Sequence, residues 1–337
     1  MSRRRIFSRR GGESRFRLPF GLLLALLAVG LCFLIPVNQI DITTVNVENP
    51  DLPTALPTRT PLPLPTKPNI GRIIFTCTRG DFNQLCWVNA DGTGYQQLTN
   101  VEAHNYYPVY SPKGGSIVYA SNQNGGAFDL FLFIFDGAKL IRLTDFIGNV
   151  ISPSFSPDGK RILFANRAGT GPTSLWMVDN NGENASLLYT GADTIVAADW
   201  SPDGNTIAFA MAVNNPNEYQ IFLMGADGSN VRQLTRNLAG IGGSLDWSPD
   251  GRYLLIYAGP DGDKDIFRVD VAAQTATQLT DGGNNAASSY SPDGQWIAFN
   301  SLRNNDQADI FIMRADGTDM RQVTVNPDPD WQPQWEP

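Results

Sequence analysis

The sequence predicts an all-β protein built from repeated units, and two periodic signals support this prediction. The first is a Ser-Pro-x-Gly turn motif, which recurs at intervals of 43 to 47 residues. It starts at Ser111, Ser156, Ser201, Ser248 and Ser291. The second is a hydrophobic residue or Tyr followed by Thr, which recurs at intervals of 44 to 46 residues. It ends at Thr99, Thr144, Thr190, Thr235, Thr280 and Thr324. A fixed period of this size is typical of propellers and arrays, in which each unit covers the faces of its neighbours.

Each repeat has the pattern of four short antiparallel strands. In the unit that opens with "DWSPDG", Pro202 fixes φ at the second turn position, and Gly204 takes the left-handed conformation that closes a hairpin. The strand "NTIAFA" follows, and an Ala-Asp-Gly turn then separates "QIFLM" from "VRQLT". Residues 70–337 contain no stretch with convincing helical periodicity. Four antiparallel strands in about 45 residues are the content of one propeller blade.

The two ends of the repeat region complement each other. The first unit, Gly71 to Thr99, lacks the aromatic-Ser-Pro strand that opens the other units. The last residues, "DWQPQWEP", supply it, with Trp335 at the position that Trp247 holds in its own unit. We therefore expect the C-terminal strand to join the first blade and close a six-bladed β-propeller over residues 70–337.

The repeated phrase also resembles that of a known family. An aromatic-Ser-Pro-Asp-Gly turn, an apolar strand, Ala-Asp-Gly-Ser/Thr and Leu-Thr follow one another as in the WD-like repeat of TolB-type β-propellers. The resemblance covers essentially all of residues 70–337. It implies a six-bladed propeller, often periplasmic or exported, that binds proteins or peptides through its loops and central channel. TolB itself carries an extra N-terminal domain and is soluble, whereas a predicted anchor and linker take that place in this chain.

The N-terminus is predicted to anchor the chain in a membrane. Residues 1–17 hold seven Arg and one Glu, and residues 18–40 carry no charge. A helix of 23 residues would be roughly 34 Å long, against a hydrocarbon core of about 30 Å. A cleaved signal peptide is the alternative, although no small-x-small site follows the apolar run. Because Arg-rich flanks stay inside, we expect a single pass through the plasma (inner) membrane, a cytoplasmic N-terminus and an extracytoplasmic propeller.

A spacer is predicted between the anchor and the propeller. Residues 41–69 include "NPDLPTALPTRTPLPLPTKPN", in which Pro recurs at every second to fourth position. Such a segment favours an extended polyproline conformation, at about 3.1 Å per residue. It would hold the propeller some distance from the membrane.

The predicted binding surface is the face that carries the variable loops. Loops between second and third strands, and the links between blades, differ in length and chemistry, while the tight turns on the opposite face are nearly repeated. Function tends to lie on variable loops held by a rigid scaffold. Aromatic and Arg side chains are the usual anchors of protein interfaces. The candidate binding residues are Arg79, Phe82, His104, Tyr106, Phe128, Arg167, Tyr219, Asp263 and Arg303. The alternative is that these loops are simply solvated.

Asp199 and Asp246 are candidate channel residues, because each precedes the Trp of an adjacent blade. One possibility is a structural role, in which they bond to nearby backbone or water. The alternative is an acidic spot near the channel that attracts a cation or a basic peptide. Cys77 and Cys86 lie on neighbouring strands of the first blade. Outside the cytoplasm they can form a disulfide, and two buried free thiols are the alternative.

The sequence favours a binding protein over an enzyme. His104 is the single His, so H-E-x-x-H is impossible, and neither a G-x-S-x-G elbow nor a P-loop occurs. The carboxylates near Asp263 lack the EF-hand pattern, so we expect no metal and no cofactor. The chain beyond residue 17 is acidic, which disfavours nucleic acid as a partner. The expected partner is an envelope protein or peptide. A hydrolase or lyase that acts on an envelope or extracellular polymer is the alternative.

Overall fold

The computed structural model describes residues 71–337, with the exception of residues 192, 214, 237, 305 and 306. In this part of the chain, 24 strands form six four-stranded antiparallel sheets. Each sheet is one blade, so the predicted six-bladed propeller is confirmed. The expected basic segment, membrane helix and spacer, residues 1–69, lie outside the described residues. None of the helical segments that are described is long and apolar enough to cross a membrane.

The blades follow one another along the chain, and the strands of each blade run in order from the innermost to the outermost. Blade 1 consists of β24 (Asp330–Trp335), β1 (Arg72–Arg79), β2 (Phe82–Asn89) and β3 (Gln96–Gln97). Blade 2 consists of β4 (Asn105–Tyr110), β5 (Ser116–Ser121), β6 (Asp129–Ile134) and β7 (Lys139–Arg142), with a 3-10 turn at Asp136–Ala138. Blade 3 consists of β8 (Asn149–Phe155), β9 (Arg161–Arg167), β10 (Ser174–Asp179) and β11 (Ser186–Tyr189).

The other three blades have the same order. Blade 4 consists of β12 (Ile195–Trp200), β13 (Thr206–Val213), β14 (Asn215–Gly225) and β15 (Arg232–Gln233). Blade 5 consists of β16 (Leu245–Trp247), β17 (Tyr253–Ala258), β18 (Asp265–Asp270) and β19 (Thr275–Gln278). Blade 6 consists of β20 (Ala286–Tyr290), β21 (Trp296–Ser301), β22 (Asp309–Arg314) and β23 (Arg321–Gln322).

The Ser-Pro-Asp-Gly motif forms a hydrogen-bonded hairpin turn between the first two strands of a blade. The Ser201 hydroxyl donates to Asp203 Oδ1 at 2.5 Å and accepts from the amide of Thr206 at 2.9 Å. Gly204 has φ +71°, which a residue with a Cβ adopts at a cost. The hydrogen bond from Ser201, followed by that from the Asn205 amide, lowers the pKa of Asp203. These side chains satisfy the turn locally, and the Ser-Pro-x-Gly motif recurs in the five blades whose first two strands follow each other along the chain.

The recurring Thr joins the outer half of each blade. In blade 4, the Thr235 hydroxyl accepts from the Ile221 amide at 2.9 Å and donates to Gln220 Oε1 at 2.8 Å. The corresponding Thr hydroxyl accepts an amide hydrogen bond of 2.9 Å in four other blades. These are the hydroxyls of Thr99, Thr144, Thr280 and Thr324. The second sequence period therefore marks a hydrogen bond that ties the end of a blade to its third strand.

The apolar core lies between adjacent blades. One cluster combines Val118 and Leu130 of blade 2 with Ile162 and Phe164 of blade 3. The Ala-Asp-Gly turns approach the preceding blade closely, since a Cβ on Gly317 would lie 2.7 Å from the Leu279 carbonyl oxygen. Packing thus runs continuously around the ring, as expected for a repeat architecture.

The C-terminal strand closes the ring, as predicted. β24 pairs with β1, and Ile73 faces Trp335 while Cys77 faces Asp330. The Glu336 amide donates to the Arg72 carbonyl at 2.8 Å, and the two side chains form an ion pair of 3.0 Å. Blade 1 is therefore assembled from both ends of the described chain.

Blade 1 also contains a disulfide between Cys77 and Cys86. Their Cα atoms lie 5.8 Å apart, and both side chains are fully buried. The bond joins β1 to β2 next to the strand that closes the ring. It fixes the outer side of β1, while β24 pairs with its inner side.

Deletion of residues 331–337 tests the importance of this closure. The deletion removes most of β24 and exposes the hydrogen-bonding edge of β1 at the channel. We expect the free energy of unfolding to fall by on the order of several kcal/mol, or the protein to aggregate. Thermal unfolding with light scattering measures both outcomes. Removal of Pro337 alone, which lies beyond β24, is the control, and an unchanged melting temperature of the longer deletion would contradict this closure.

Candidate functional site

The two ends of the propeller differ in chemistry. The Ser-Pro-Asp-Gly and Ala-Asp-Gly turns lie at one end, which we name the turn face. The loops between second and third strands and the links between blades lie at the other end, the loop face. This separation follows from the antiparallel order of four strands in every blade. The candidate binding residues can therefore be located relative to these two faces.

Four of the candidate binding residues form a continuous group of rings on the loop face of blades 1 and 2. The ring centroids of Phe82 and His104 are 5.6 Å apart, and those of His104 and Tyr106 are 6.0 Å apart with the rings stacked. Tyr106 continues to Phe128 at 5.6 Å. All four side chains are half-buried. We name this group the aromatic row.

Amide side chains hold the aromatic row in place. The Asn83 side chain donates to Tyr106 Oη at 2.6 Å, and its backbone amide donates to His104 Nδ1 at 3.3 Å. The His104 amide in turn donates to Asn122 Oδ1 at 2.8 Å. Because Nδ1 accepts, the neutral imidazole carries its proton on Nε2. Burial raises the pKa of Tyr106, so its phenol stays protonated and able to donate to a partner.

Two of the candidate Arg residues are engaged within the fold. Arg79 lies 4.0 Å from the buried carboxylate of Asp330 and also faces the Tyr95 ring. Arg303 donates to the Gly282 carbonyl and to Asn285 Oδ1, both at 3.1 Å. Their guanidinium groups therefore stabilise links between strands and are less free to contact a partner.

The remaining candidates lie apart from the aromatic row. Arg167, at the end of β9, and Asp263, before β18, are exposed. Tyr219 is half-buried and lines the central cavity. Burial raises the pKa of Tyr219, and the positive charge of Arg167 offsets part of this shift. The structure therefore divides the predicted binding residues among the aromatic row, the ring scaffold and the cavity.

Phe146 is an exposed aromatic residue that the sequence pattern did not identify. It is 58% exposed and has φ +49°. Its amide donates to Asp129 Oδ1 at 3.1 Å, and the Arg142 guanidinium lies 4.4 Å from its ring centroid. The corresponding position of blade 5, two residues after the repeated Thr, is Gly282 with φ +68°. A large apolar residue where another blade has glycine was the available sequence signal.

The innermost strands surround a central cavity of about 390 Å³. Both candidate channel residues line it and accept hydrogen bonds from neighbouring blades. Asp199 accepts from the Ser154 hydroxyl at 2.5 Å and from the Trp247 amide at 3.1 Å. Asp246 accepts from the Tyr290 amide at 2.8 Å. Each carboxylate thus links neighbouring blades and also faces the cavity.

The environment of this pair disfavours ionisation. The two side chains are half-buried, since they border the cavity but are otherwise surrounded by protein. Desolvation raises the pKa of Asp199 to about 6, against the opposing effect of its hydrogen bonds. Desolvation, followed by repulsion from Asp199, raises the pKa of Asp246 well above its usual value. The cavity therefore holds two carboxylates that repel each other when both are charged.

Five innermost strands contain a bulge at the cavity wall, and four of these bulges have one non-glycine residue in the left-handed region. These residues are Tyr107, Ser152, Ala287 and Gln332, with φ between +49° and +56°. Gln332 Oε1 accepts from the Thr76 hydroxyl at 2.9 Å and from the Tyr107 amide at 3.0 Å. Burial raises the pKa of Tyr107 to about 12. Bulges re-aim side chains, and in this propeller they help to shape the lining of the cavity.

Among the described residues, no three His, Cys, Asp or Glu side chains are grouped so that they could hold a metal ion. His104 contacts Phe82, Tyr106 and Asn83 within the aromatic row. His104 is thus a half-buried ring that packs between the other rings of the aromatic row.

Comparisons with known proteins agree with the fold. The model of the TolB beta propeller domain matches residues 93–240 and 170–337. An uncharacterised protein of Agrobacterium fabrum is 37% identical over 114 residues, which are 34% of this chain and 38% of that protein. A Tol-Pal system protein TolB of Francisella tularensis is 28% identical over 110 residues, 32% of this chain and 25% of that protein. The matches thus span well under half the length of these curated relatives.

Solved structures show the same architecture at low sequence identity. TolB from Acinetobacter baumannii has a TM-score of 0.70 at 22% identity, with 79% of this chain and 67% of that chain covered. An oligogalacturonate lyase in complex with manganese has a TM-score of 0.54 at 14% identity, with 77% and 75% covered. Likeness at these identities concerns the fold alone. With the family model matched across residues 93–337 and all six blades in place, the chain belongs to the TolB β-propeller domain family.

Proposed function

We propose that this protein is a binding module of the cell envelope that docks a protein or peptide partner on its loop face. The aromatic row is the observation that carries the proposal. Its four rings form a continuous half-buried surface. Asn83 donates to the Tyr106 hydroxyl, and Asn122 accepts from the backbone amide of His104. Rigid aromatic anchors lose little side-chain entropy on binding and dominate the energy of many interfaces. Relatives named as Tol-Pal system proteins support a role in an assembly of proteins.

The conformation of Phe146 supports the same function. A left-handed backbone costs an L-residue roughly 1–2 kcal/mol, so a Phe in that region is destabilising unless something compensates. Its ring is mostly exposed and stacks against the Arg142 guanidinium. Strained, exposed residues cluster at functional sites, and hence we assign Phe146 as a second anchor beside the aromatic row.

We place the propeller outside the cytoplasm, tethered by residues 18–40 through the Pro-rich segment of residues 41–69. The uncharged run of 23 residues and the Arg-rich flank support this topology. The anchor would keep the propeller in the cell envelope, within reach of an envelope partner. We infer binding as the activity, in place of hydrolysis or lyase chemistry, because His104 serves the packing of the aromatic row.

The aromatic row can be tested by single alanine substitutions. Full-length protein in detergent is used to capture partners, and each captured protein is then measured by calorimetry. Phe82→Ala, Tyr106→Ala and Phe128→Ala should each weaken binding by about 1 kcal/mol or more if these rings are anchors. Leu187→Ala is the matched control, because Leu187 is 52% exposed on the outer strand β11, away from the row. Equal affinity of all four variants would exclude the row as the docking site.

Phe146 allows the contribution of the ring to be separated from the fold. Phe146→Gly relieves the left-handed strain, whereas Phe146→Ala retains it, so the Gly variant should be more stable by about 1 kcal/mol. Both variants lack the ring and should lose the same amount of partner affinity. Thermal unfolding and calorimetry measure the two quantities. Full affinity in both variants would show that the ring makes no contact with the partner.

The topology can be tested with trypsin on intact spheroplasts. Arg59 lies within the Pro-rich segment and is followed by Thr, so cleavage there should release the propeller into the medium. An antibody against the propeller detects the release, and a cytoplasmic protein serves as the integrity control. Arg59→Gln should slow the release. Complete retention of the wild-type propeller in a cleavage-competent preparation would reverse the proposed orientation.

A further inference from the structure

The central cavity contains a polar group that the fold does not satisfy. The Ser244 hydroxyl lines the cavity and is buried without a hydrogen-bond partner among the residues that the structure describes. Ser288 is 6% exposed and lines the same cavity. Buried hydroxyls without partners are rare in native folds, and each one requires an explanation such as a ligand or water.

The charge of the cavity is also uncompensated. Asp199 and Asp246 are its carboxylates, and its lining contains no Arg, Lys or His among the described residues. Of the two carboxylate oxygens of Asp246, only Oδ2 accepts a hydrogen bond from the described residues, and its donor is the Tyr290 amide. Repulsion between the two charges destabilises the folded protein at neutral pH. A positive charge between them would remove this cost.

Aromatic rings form another part of the wall. Tyr107, Tyr219 and Tyr257 all line the cavity, and the phenol of Tyr257 accepts from the Gly243 amide at 2.8 Å. The charge of the exposed Arg167, at the loop-face end of β9, lowers the pKa of Tyr219. Tyr219 therefore lies where the cavity opens to the loop face. Ring faces attract diffuse cations such as ammonium and guanidinium groups.

The geometry points to a binding site for an organic cation, an ammonium or guanidinium group held between Asp199 and Asp246 and bordered by the tyrosine rings. The serine hydroxyls of Ser244 and Ser288 would accept the remaining N–H donors. A calcium ion fits this lining less well, because calcium takes about six to eight oxygen ligands and several are usually carboxylates. The site is separate from the aromatic row, and its test needs no protein partner.

The cation could belong to a Lys or Arg side chain of a partner or to a free polyamine. Isothermal titration of the full-length protein in detergent distinguishes these sources with three probes. N-acetyl-arginine amide and N-acetyl-lysine amide represent the side chains, and spermidine represents the polyamine. Calcium chloride is titrated separately. Preferential binding of the capped residues identifies a side-chain ligand, and preferential binding of spermidine identifies a free polyamine.

Substitution of one carboxylate provides the decisive comparison. Asp246→Asn should weaken binding of the organic cation at pH 7.5 by on the order of tenfold, since a charged hydrogen-bond partner is lost. Asp136→Asn removes an exposed carboxylate from the turn face and should leave the affinity unchanged. Unchanged affinity in Asp246→Asn overturns the assignment. Binding of calcium without binding of any organic probe also overturns it, as does the absence of binding by every probe.

The pH dependence supplies an independent readout. The cation favours the ionised carboxylates, so affinity should fall as the pH drops through about 6, where Asp199 takes up a proton. Binding near pH 6 should release protons, which titrations in two buffers of different ionisation enthalpy reveal. The other ionisable groups that face the pair are Tyr107, Tyr219, Tyr257 and, behind it, Tyr290. Burial raises the pKa of all four, so they remain neutral in this range.

Stability of the unliganded protein shows whether the variant remains folded. A carboxyl whose pKa is raised in the folded state destabilises that state as the pH rises from the ordinary pKa of the group to the raised one. Asp246→Asn removes this effect, so its melting temperature should exceed that of the wild type at pH 7 and approach it at pH 4. A stabilised variant that has lost the cation would support the site. A stabilised variant that binds as tightly as the wild type would exclude it.

Discussion

Closure of the ring by pairing of β24 with β1 is the constraint on which the rest of this structure depends. Each blade covers its apolar faces only against two neighbours, and a ring with one open seam would leave two such faces in water. The pairing brings Trp335 against Ile73 and the Glu336 side chain to Arg72. It also places Gln332 beside Tyr107, so the last strand completes the wall of the central cavity. The cavity site therefore requires the two ends of the repeat region to meet.

Much of the fold follows from local chemistry that repeats along the chain. The turn built on Ser201, Asp203 and Gly204 and the hydrogen bonds of Thr235 join residues no more than 15 positions apart within one repeat, so the sequence period reveals them. The contact between Thr76 and Gln332 spans 256 positions and leaves no periodic signal. Sequence reasoning therefore predicted the strands and the closure but not the details of the channel wall.

For the candidate sites too, the sequence predicts the position of the residues but not the contacts between them. The loop-face position of Phe82, Tyr106 and Phe128 follows from strand order, whereas their mutual contact depends on side-chain packing between blades 1 and 2. The engagement of Arg303 within the fold could not be predicted, because its partners are a backbone carbonyl and a side-chain amide of the preceding link. Asp199 and Asp246 hold the same position in adjacent repeats, so the pattern placed both at the channel. Their shared desolvation depends on the narrowness of the cavity, which composition does not reveal.

The position of β1 within blade 1 has a mechanical consequence. Chain that enters at residue 71 continues directly into β1, which has β24 on one side and β2 on the other. A tensile load applied along this strand is shared in shear by two rows of hydrogen bonds at once, instead of opening one bond after another. The Cys77–Cys86 bond adds a covalent cross-link to the same strand. A pull on the chain at residue 71 would thus be borne first by blade 1, whose strand β1 is held by two rows of hydrogen bonds and a covalent cross-link.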